Sequence, residues 1–201
     1  MAAIKGHLAA HPEIRRLWYD FWAMPQDERT ADDKRAGKPD TRTEADDKSG
    51  SLLVSRIEED GHVLADRAII TDDVPQIIAR LKEWIESPQV DVVVTTGGTG
   101  LTGRDSTPEA FAAIVEKDIP GFGELFRMLS FEKIGTSTVQ SRALAGVAGG
   151  TYLFALPGST SACKDGWDDI LRYQLDIRHR PCNFVEIMPR LNESATTRRT
   201  G

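Results

Sequence analysis

"VVVTTGGTGLTGRDSTPEA", Val92 to Ala110, is the stretch that decides the fold. Valines and threonines at its start predict a buried strand, Asp91 to Thr96. Four glycines follow, and Pro108 then marks the first turn of a helix. Ser106 with Glu109 three residues on spells a capping box for that helix, which is expected to carry Phe111, Ile114 and Val115. The missing side chains at Gly97, Gly98 and Gly100 let a ligand approach the backbone, where successive N–H groups suit an anion such as phosphate.

Gly98 to Gly103 also spell G-x-G-x-x-G, the letters of a dinucleotide fingerprint. In that fingerprint the helix opens inside the glycine motif and an acid follows a second strand about 20 residues on. Here Arg104 to Thr107 intervene and no such strand follows. A Walker A loop is excluded because the only Gly-Lys pair, Gly37-Lys38, precedes Pro39 rather than Ser or Thr.

Outward from this loop, strand-like and helix-like segments alternate from Ser49 onward, the pattern of a sheet covered on both faces by helices. Leu52, Leu53 and Ile57 mark a helix ended by Gly61, and His62 to Ile70 reads as a strand. Asp72 or Asp73 caps a helix whose core stripe is Ile77, Ile78, Leu81, Trp84 and Ile85. Gly121 to Leu129 and Val139 to Val147 read as helices, Thr151 to Leu156 as a strand, and Ser161 to Leu175 as a helix. The polar tail beyond Arg190 is expected to fray, and residues 192–201 to be flexible.

A second loop of the same kind, "LPGSTSA" from Leu156 to Ala162, places a glycine and three hydroxyls before a helix start. Two such loops share one crevice at the strand C-termini, where open α/β sheets bind ligands. Asp105 follows the glycines, and Asp72 follows the strand expected to end at Ile70. Both carboxylates are therefore expected on the sheet edge that holds the anion cradle. Carboxylates beside phosphates repel unless a divalent cation lies between them, so the pattern suggests Mg²⁺ with a nucleotide. Ser137, Ser141 and Arg142 in "GTSTVQSRA" read as caps and surface groups, although Arg142 suits a phosphate.

The 201 residues are 40% hydrophobic and 28% charged, ordinary for one large globular domain. A net charge of −6 with interspersed signs leaves no basic stripe for nucleic acid. The two cysteines, Cys163 and Cys182, suggest neither a disulfide framework nor a zinc site. His7 and His11 lack a third ligand. Neither a signal-peptide pattern nor a run of about 18 apolar residues occurs, so the expectation is a cytoplasmic protein without a membrane partner.

The N-terminal third is unusual. "DERTADDK" at Asp27 to Lys34 recurs as "DTRTEADDK" at Asp40 to Lys48, with "RAGKP" between the copies. Dense charge without periodicity predicts a mobile loop. The preceding aromatic stretch reads equally as a strand or an amphipathic helix.

Taken together, "TTGGTGLTGRDSTPEA", "PGFGELFRMLSFEKIGTSTVQSRALAGV" and "LPGSTSACKDGWDDIL" resemble the MoaB/MogA family of molybdenum cofactor biosynthesis proteins, and "RPCNF" looks most like its MoaB branch. The resemblance runs from Asp40 to Leu191. It implies a three-layer α/β/α sandwich with a mostly parallel sheet, a trimer or dimer of trimers, and molybdopterin as ligand. In active members it implies transfer of AMP from Mg–ATP to the terminal phosphate of that pterin; other members of the MoaB type bind without catalysing. By motif, Asp72 and Asp105 match the family's essential acids and would hold Mg²⁺. Asp40, Thr96, Gly97, Gly98, Thr99, Gly100, Ser137, Ser141, Arg142, Pro157, Gly158 and Ser159 would contact the ligand.

The chain departs from the family at one place. The family's first apolar strand runs straight into D-T-R-T, whereas "DKRAGKP" precedes Asp40 here and cannot be a buried strand. Either Arg16 to Met24 supplies the strand and Pro25 to Pro39 is an insertion, or the first strand is lost. The insertion is favoured, because a sheet without that strand exposes an edge. Phe122, Phe126, Met128 and Phe131 offer more apolar surface than one helix needs, and read either as a subunit interface or as core.

Overall fold

The computed structural model describes residues 17–23, as backbone, and residues 46–193. Within these, five strands form one sheet in the order β1-β2-β5-β4-β3. They are β1 (Leu17–Ala23), β2 (Val92–Gly97), β3 (Lys117–Asp118), β4 (Leu144–Ala148) and β5 (Thr151–Leu156). β1 and β5 flank β2 in parallel, while β4 runs antiparallel to both β5 and β3. Only β4 therefore opposes the common direction, and the sheet is mostly parallel.

Alternation along the two central strands sorts their side chains between two cores. Val92 and Val94 of β2, with Tyr152, Phe154 and Leu156 of β5, meet Leu53 and Ile57 of α1 (Lys48–Glu59), Phe122 and Phe126 of α4 (Pro120–Ile134), and Cys163 of α5 (Thr160–Gly166). Val93, Leu153 and Ala155 face the other way. They pack on Ile77, Leu81 and Trp84 of α2 (Val74–Ile85) and on Ala110 and Phe111 of α3 (Thr107–Ala112). Every residue of β2 and β5 is buried, as a central strand covered by helices on both faces requires. The result is a three-layer α/β/α sandwich. α5 continues through a π-helical turn (Trp167–Leu171) into the short α6 (Arg172–Gln174), and α7 (Phe184–Ile187) closes the described chain with a 3₁₀ turn, Met188–Arg190.

Several local expectations need correction. Residues 62–70 form no strand: Leu64 alone makes a bridge. Asp66 accepts the Arg67 N–H at 2.6 Å, a side-chain bond that competes with ladder pairing. Val139 to Val147 is no helix either. Gly135–Gln140 forms a 3₁₀ turn and Leu144–Ala148 a strand, because Gly149 and Gly150, with φ of 57° and 84°, close a hairpin into β5. The alanines and glycine of β4 are small because β4 lies close to its neighbours: a Cβ on Gly146 would meet Val115 Cγ1 at 2.5 Å.

α3 ends at Ala112, so Ile114 and Val115 lie beyond it. Ser106 stands at its N-cap without a side-chain bond, and Glu109 is drawn instead to Arg142, a charged partner stronger than the cap's N–H. Of the aromatic-rich α4, Phe122 and Phe126 are core, whereas Met128 and Phe131 are 61% and 55% exposed.

Candidate functional site

The parallel strands β2 and β5 end side by side, Thr96 opposite Leu156, so the loops that follow them emerge together. Between them and the start of α1 lies a cavity of about 590 Å³. Gly97, Gly98, Thr99, Gly100 and Asp105 line it from the first loop, and Pro157, Gly158, Ser159 and Thr160 from the second. Asp46, Lys48 and Ser49 supply a third wall, and Gln140 with Ser141 a fourth. A cavity at the carboxyl ends of parallel strands is where an open α/β sheet presents ligand groups.

The glycine loop has a definite sidedness. Thr107 donates from Oγ1 to the Gly97 carbonyl at 3.0 Å and from its N–H to the Gly98 carbonyl at 3.1 Å. Arg142 donates its N–H to the Thr99 carbonyl at 3.1 Å and Nε to the Gly100 carbonyl at 2.7 Å. In a trans peptide the next N–H points opposite to the carbonyl. The N–H groups of Gly98, Thr99 and Gly100 therefore face away from Thr107 and Arg142, neither of which lines the cavity. Gly97 and Gly98 take φ of 96° and 62°, the left-handed region that favours glycine, and this turns the chain at the strand end.

Asp105 folds back over this loop. Its Oδ2 accepts the N–H and the hydroxyl of Thr102 at 2.8 and 2.7 Å. Asp72 is not among the residues lining the cavity, yet it senses Asp105. Burial, and secondarily the Asp105 charge, push its carboxyl up to about 7, against the opposing pull of Arg104. Asp73, not Asp72, caps α2 by accepting the Gln76 N–H at 3.0 Å. Asp72 Oδ1 is left buried without a hydrogen-bond partner. Asp72 thus lies near enough to Asp105 to feel its charge, with one buried oxygen left unpartnered. Among the described residues, no group of three or more His, Cys, Asp and Glu side chains comes together to hold a metal.

The remaining sequence candidates separate. Ser141, Pro157, Gly158 and Ser159 reach the cavity. The Ser159 hydroxyl accepts the Ala162 N–H as cap of α5, and the Ser141 hydroxyl accepts the Ala143 N–H. Thr96 lies buried beneath the loops, donating to the Pro157 carbonyl at 3.0 Å with Cys163 Sγ at 2.9 Å. Ser137 is exposed on the 3₁₀ turn and does not line the cavity. Arg142 stands behind the glycine loop, engaged with its carbonyls and with Glu109. Asp40 and the first copy of the duplicated motif lie outside the described residues.

Sequence reasoning missed Asp46, Lys48, Ser49, Gln140 and Thr160 as cavity residues. Lys48 is the only lysine or arginine among those lining residues. Ser49 bridges two walls, donating to the Gly158 carbonyl at 2.8 Å with Thr160 Oγ1 at 3.2 Å. Asp47 Oδ1 caps α1 by accepting the Gly50 N–H, and its fully buried carboxylate pairs with Arg67 at 2.7 Å. A signal was available: the second D-D-K runs straight into the predicted helix start at Ser49.

Residues 27–177 match the family described as "Probable molybdopterin binding domain". Molybdenum cofactor biosynthesis protein B of Escherichia coli (strain K12) is 53% identical over 143 residues, 71% of this chain and 84% of that protein. The protein of the same name from Bacillus subtilis (strain 168) is 44% identical over 126 residues, 62% of this chain and 74% of that one. Among solved structures, a crystal structure of molybdenum cofactor biosynthesis protein B superposes with a TM-score of 0.69 at 36% identity, covering 81% of this chain and 92% of that one. The tungsten cofactor synthesizing protein MoaB from Pyrococcus furiosus gives a TM-score of 0.61 at 33% identity, covering 78% and 91%. Sandwich, paired loops and relatives agree: the chain belongs to the MoaB/MogA family of molybdenum cofactor biosynthesis proteins, as a member of the MoaB type.

Proposed function

We propose that the protein binds molybdopterin in this cavity and transfers AMP from Mg–ATP to its terminal phosphate. The observation that carries this reading is the one-sided glycine loop. That loop, a hydroxyl-rich second loop and Lys48 line one cavity, with Asp72 near enough to Asp105 to feel its charge. The reaction needs no protein nucleophile. A phosphate oxygen of the pterin attacks the α-phosphorus of ATP as the bond to the pyrophosphate oxygen breaks, and pyrophosphate leaves. The protein's part is to hold the two phosphates in line and to offset their charge. The N–H groups of Gly98, Thr99 and Gly100 would receive developing negative charge, and Lys48 would offset the total. Asp72 and Asp105 would hold Mg²⁺, which when bound neutralises phosphate charge and polarises the reacting phosphorus.

A second reading, a MoaB-type protein that binds molybdopterin without catalysis, is favoured by two details. Asp72 does not line the cavity, and Asp105 Oδ2 is already engaged by Thr102. Incubation with Mg–ATP and molybdopterin under exclusion of air separates the two. Adenylated pterin and pyrophosphate are expected, and Asp105→Ala is expected to abolish them while leaving the fold intact. Binding of molybdopterin without adenylated product would establish the binder, and absence of binding would remove both readings.

We further propose a homo-oligomer, a trimer or a dimer of trimers. Met128, Phe131, Ile134 and Val139 leave an apolar surface on the end of α4 and the adjoining 3₁₀ turn, each more than half exposed.

A further inference from the structure

The sequence suggests Arg142 as a phosphate ligand, but its surroundings give it other work. Nε donates to the Gly100 carbonyl at 2.7 Å, and Nη2 donates to the Asp105 carbonyl at 2.7 Å. Nη1 pairs with the Glu109 carboxylate, and the backbone N–H of the same residue holds the Thr99 carbonyl at 3.1 Å. Three edges of one planar guanidinium are thus directed at three fixed acceptors. Two of these are main-chain carbonyls at the two ends of the loop segment Gly100 to Asp105. The third, Glu109, stands on α3, which is buried against the second core through Ala110 and Phe111.

We infer that Arg142 is a positioning residue, a clamp that fixes the glycine loop and Asp105 from behind rather than a group that touches the ligand. The inference rests on the molybdopterin-binding reading of the cavity. By holding the Thr99 and Gly100 carbonyls, Arg142 turns the Gly100 and Leu101 N–H groups to the opposite side of the loop. By holding the Asp105 carbonyl, it sets the backbone from which that carboxylate springs. Glu109 orients the guanidinium, which explains why it leaves the capping position that the sequence assigns to it. Lysine cannot replace this fork: a single ammonium group on a flexible stem does not reach three acceptors in one plane.

The test compares the parent with Arg142→Ala, Arg142→Lys and Glu109→Gln by anaerobic titration with molybdopterin and with the same pterin after phosphatase treatment. Loss of charge-assisted hydrogen bonds predicts roughly 10- to 100-fold weaker binding for Arg142→Ala. A clamp predicts the same fold-loss for both ligands, partial recovery of Arg142→Ala in millimolar guanidinium, and a similar loss in Arg142→Lys. Glu109→Gln is expected to show a smaller loss. A loss confined to the phosphorylated ligand would make Arg142 a phosphate contact and overturn the clamp, as would parent-like affinity in Arg142→Lys. If Arg142→Ala does not fold, Arg142→Lys carries the comparison. If the parent binds no molybdopterin, the ligand assignment falls by itself. The clamp is then judged by hydrogen exchange of the Gly98 to Asp105 amides, where unchanged protection in Arg142→Lys would overturn it.

Discussion

A Cβ placed on Gly100 would stand 2.7 Å from Oδ2 of Asp105, closer than a Cβ approaches a neighbouring atom. The absence of a side chain at Gly100 is therefore what lets Asp105 fold over the loop and take both hydrogen bonds from Thr102. Gly100→Ala is expected to push the carboxylate away, weakening ligand binding about tenfold while shifting the melting temperature by only a few degrees. Gly103, whose Cβ would meet nothing within 4 Å, provides the control, and Gly103→Ala is expected to bind as the parent does. Equal behaviour of the two variants in calorimetric titration would remove Asp105 from the site.

Lys48 occupies the first position of α1, where its positive charge opposes the helix dipole at a cost of about 0.3–1 kcal/mol. A residue that is locally unfavourable but lines a cavity is best understood through the ligand. Lys48→Ala is expected to leave stability unchanged or slightly higher. It should weaken molybdopterin binding several-fold and make that binding less sensitive to added salt. Unaltered salt sensitivity, measured between low and physiological ionic strength, would separate Lys48 from the phosphate.

His62 lies against the edge of Trp167, ring centroids 6.0 Å apart, and its indole neighbour donates Nε1 to Asp60 at 2.7 Å. Burial pulls the imidazole down to about 4, although Asp60 and Asp176 act in the opposite sense. The folded protein therefore binds fewer protons here than the unfolded chain between about pH 4 and 6.5. Stability from this group is present above that window and is lost as pH falls through it. Urea unfolding at pH 7 and pH 5 is expected to show a steeper loss for the parent than for His62→Gln. Parallel losses would mean that other groups govern the acid limb.

Phe131 and Met128 are expected to meet a second copy of the chain. Phe131→Arg combined with Met128→Glu should leave the helical spectrum unchanged and reduce the sedimenting mass to that of a monomer at micromolar concentration. A parent that already sediments as a monomer would dispose of the interface.

The loops at the heart of the cavity were legible because glycine, proline and serine act locally. Gly97, Gly98, Pro108 and Ser159 announce a turn or a helix start wherever they fall. Val92 to Val94 likewise announce a buried strand. β4 was not legible, because Gly146 is dictated by the close approach of Val115, a tertiary reason, while Ala143, Ala145 and Ala148 beside it read as helix formers. The 62–70 segment fails in the opposite sense, its strand-like composition yielding to the local Asp66 side-chain bond and to the pull of Asp47 on Arg67. The surroundings of Arg142 were not legible either. Sequence shows a cation near a cradle but not that three acceptors already surround it.

Asp47 and Ser49 have one more consequence. Asp47 is held by the Gly50 N–H and by Arg67, and Ser49 by the Gly158 carbonyl, so the chain is moored on both sides of Lys48 where α1 begins. Through these bonds the first turn of α1 is tied both to the second loop and to Arg67. A substitution at Arg67, a residue on no wall of the cavity, is therefore expected to be felt at Lys48.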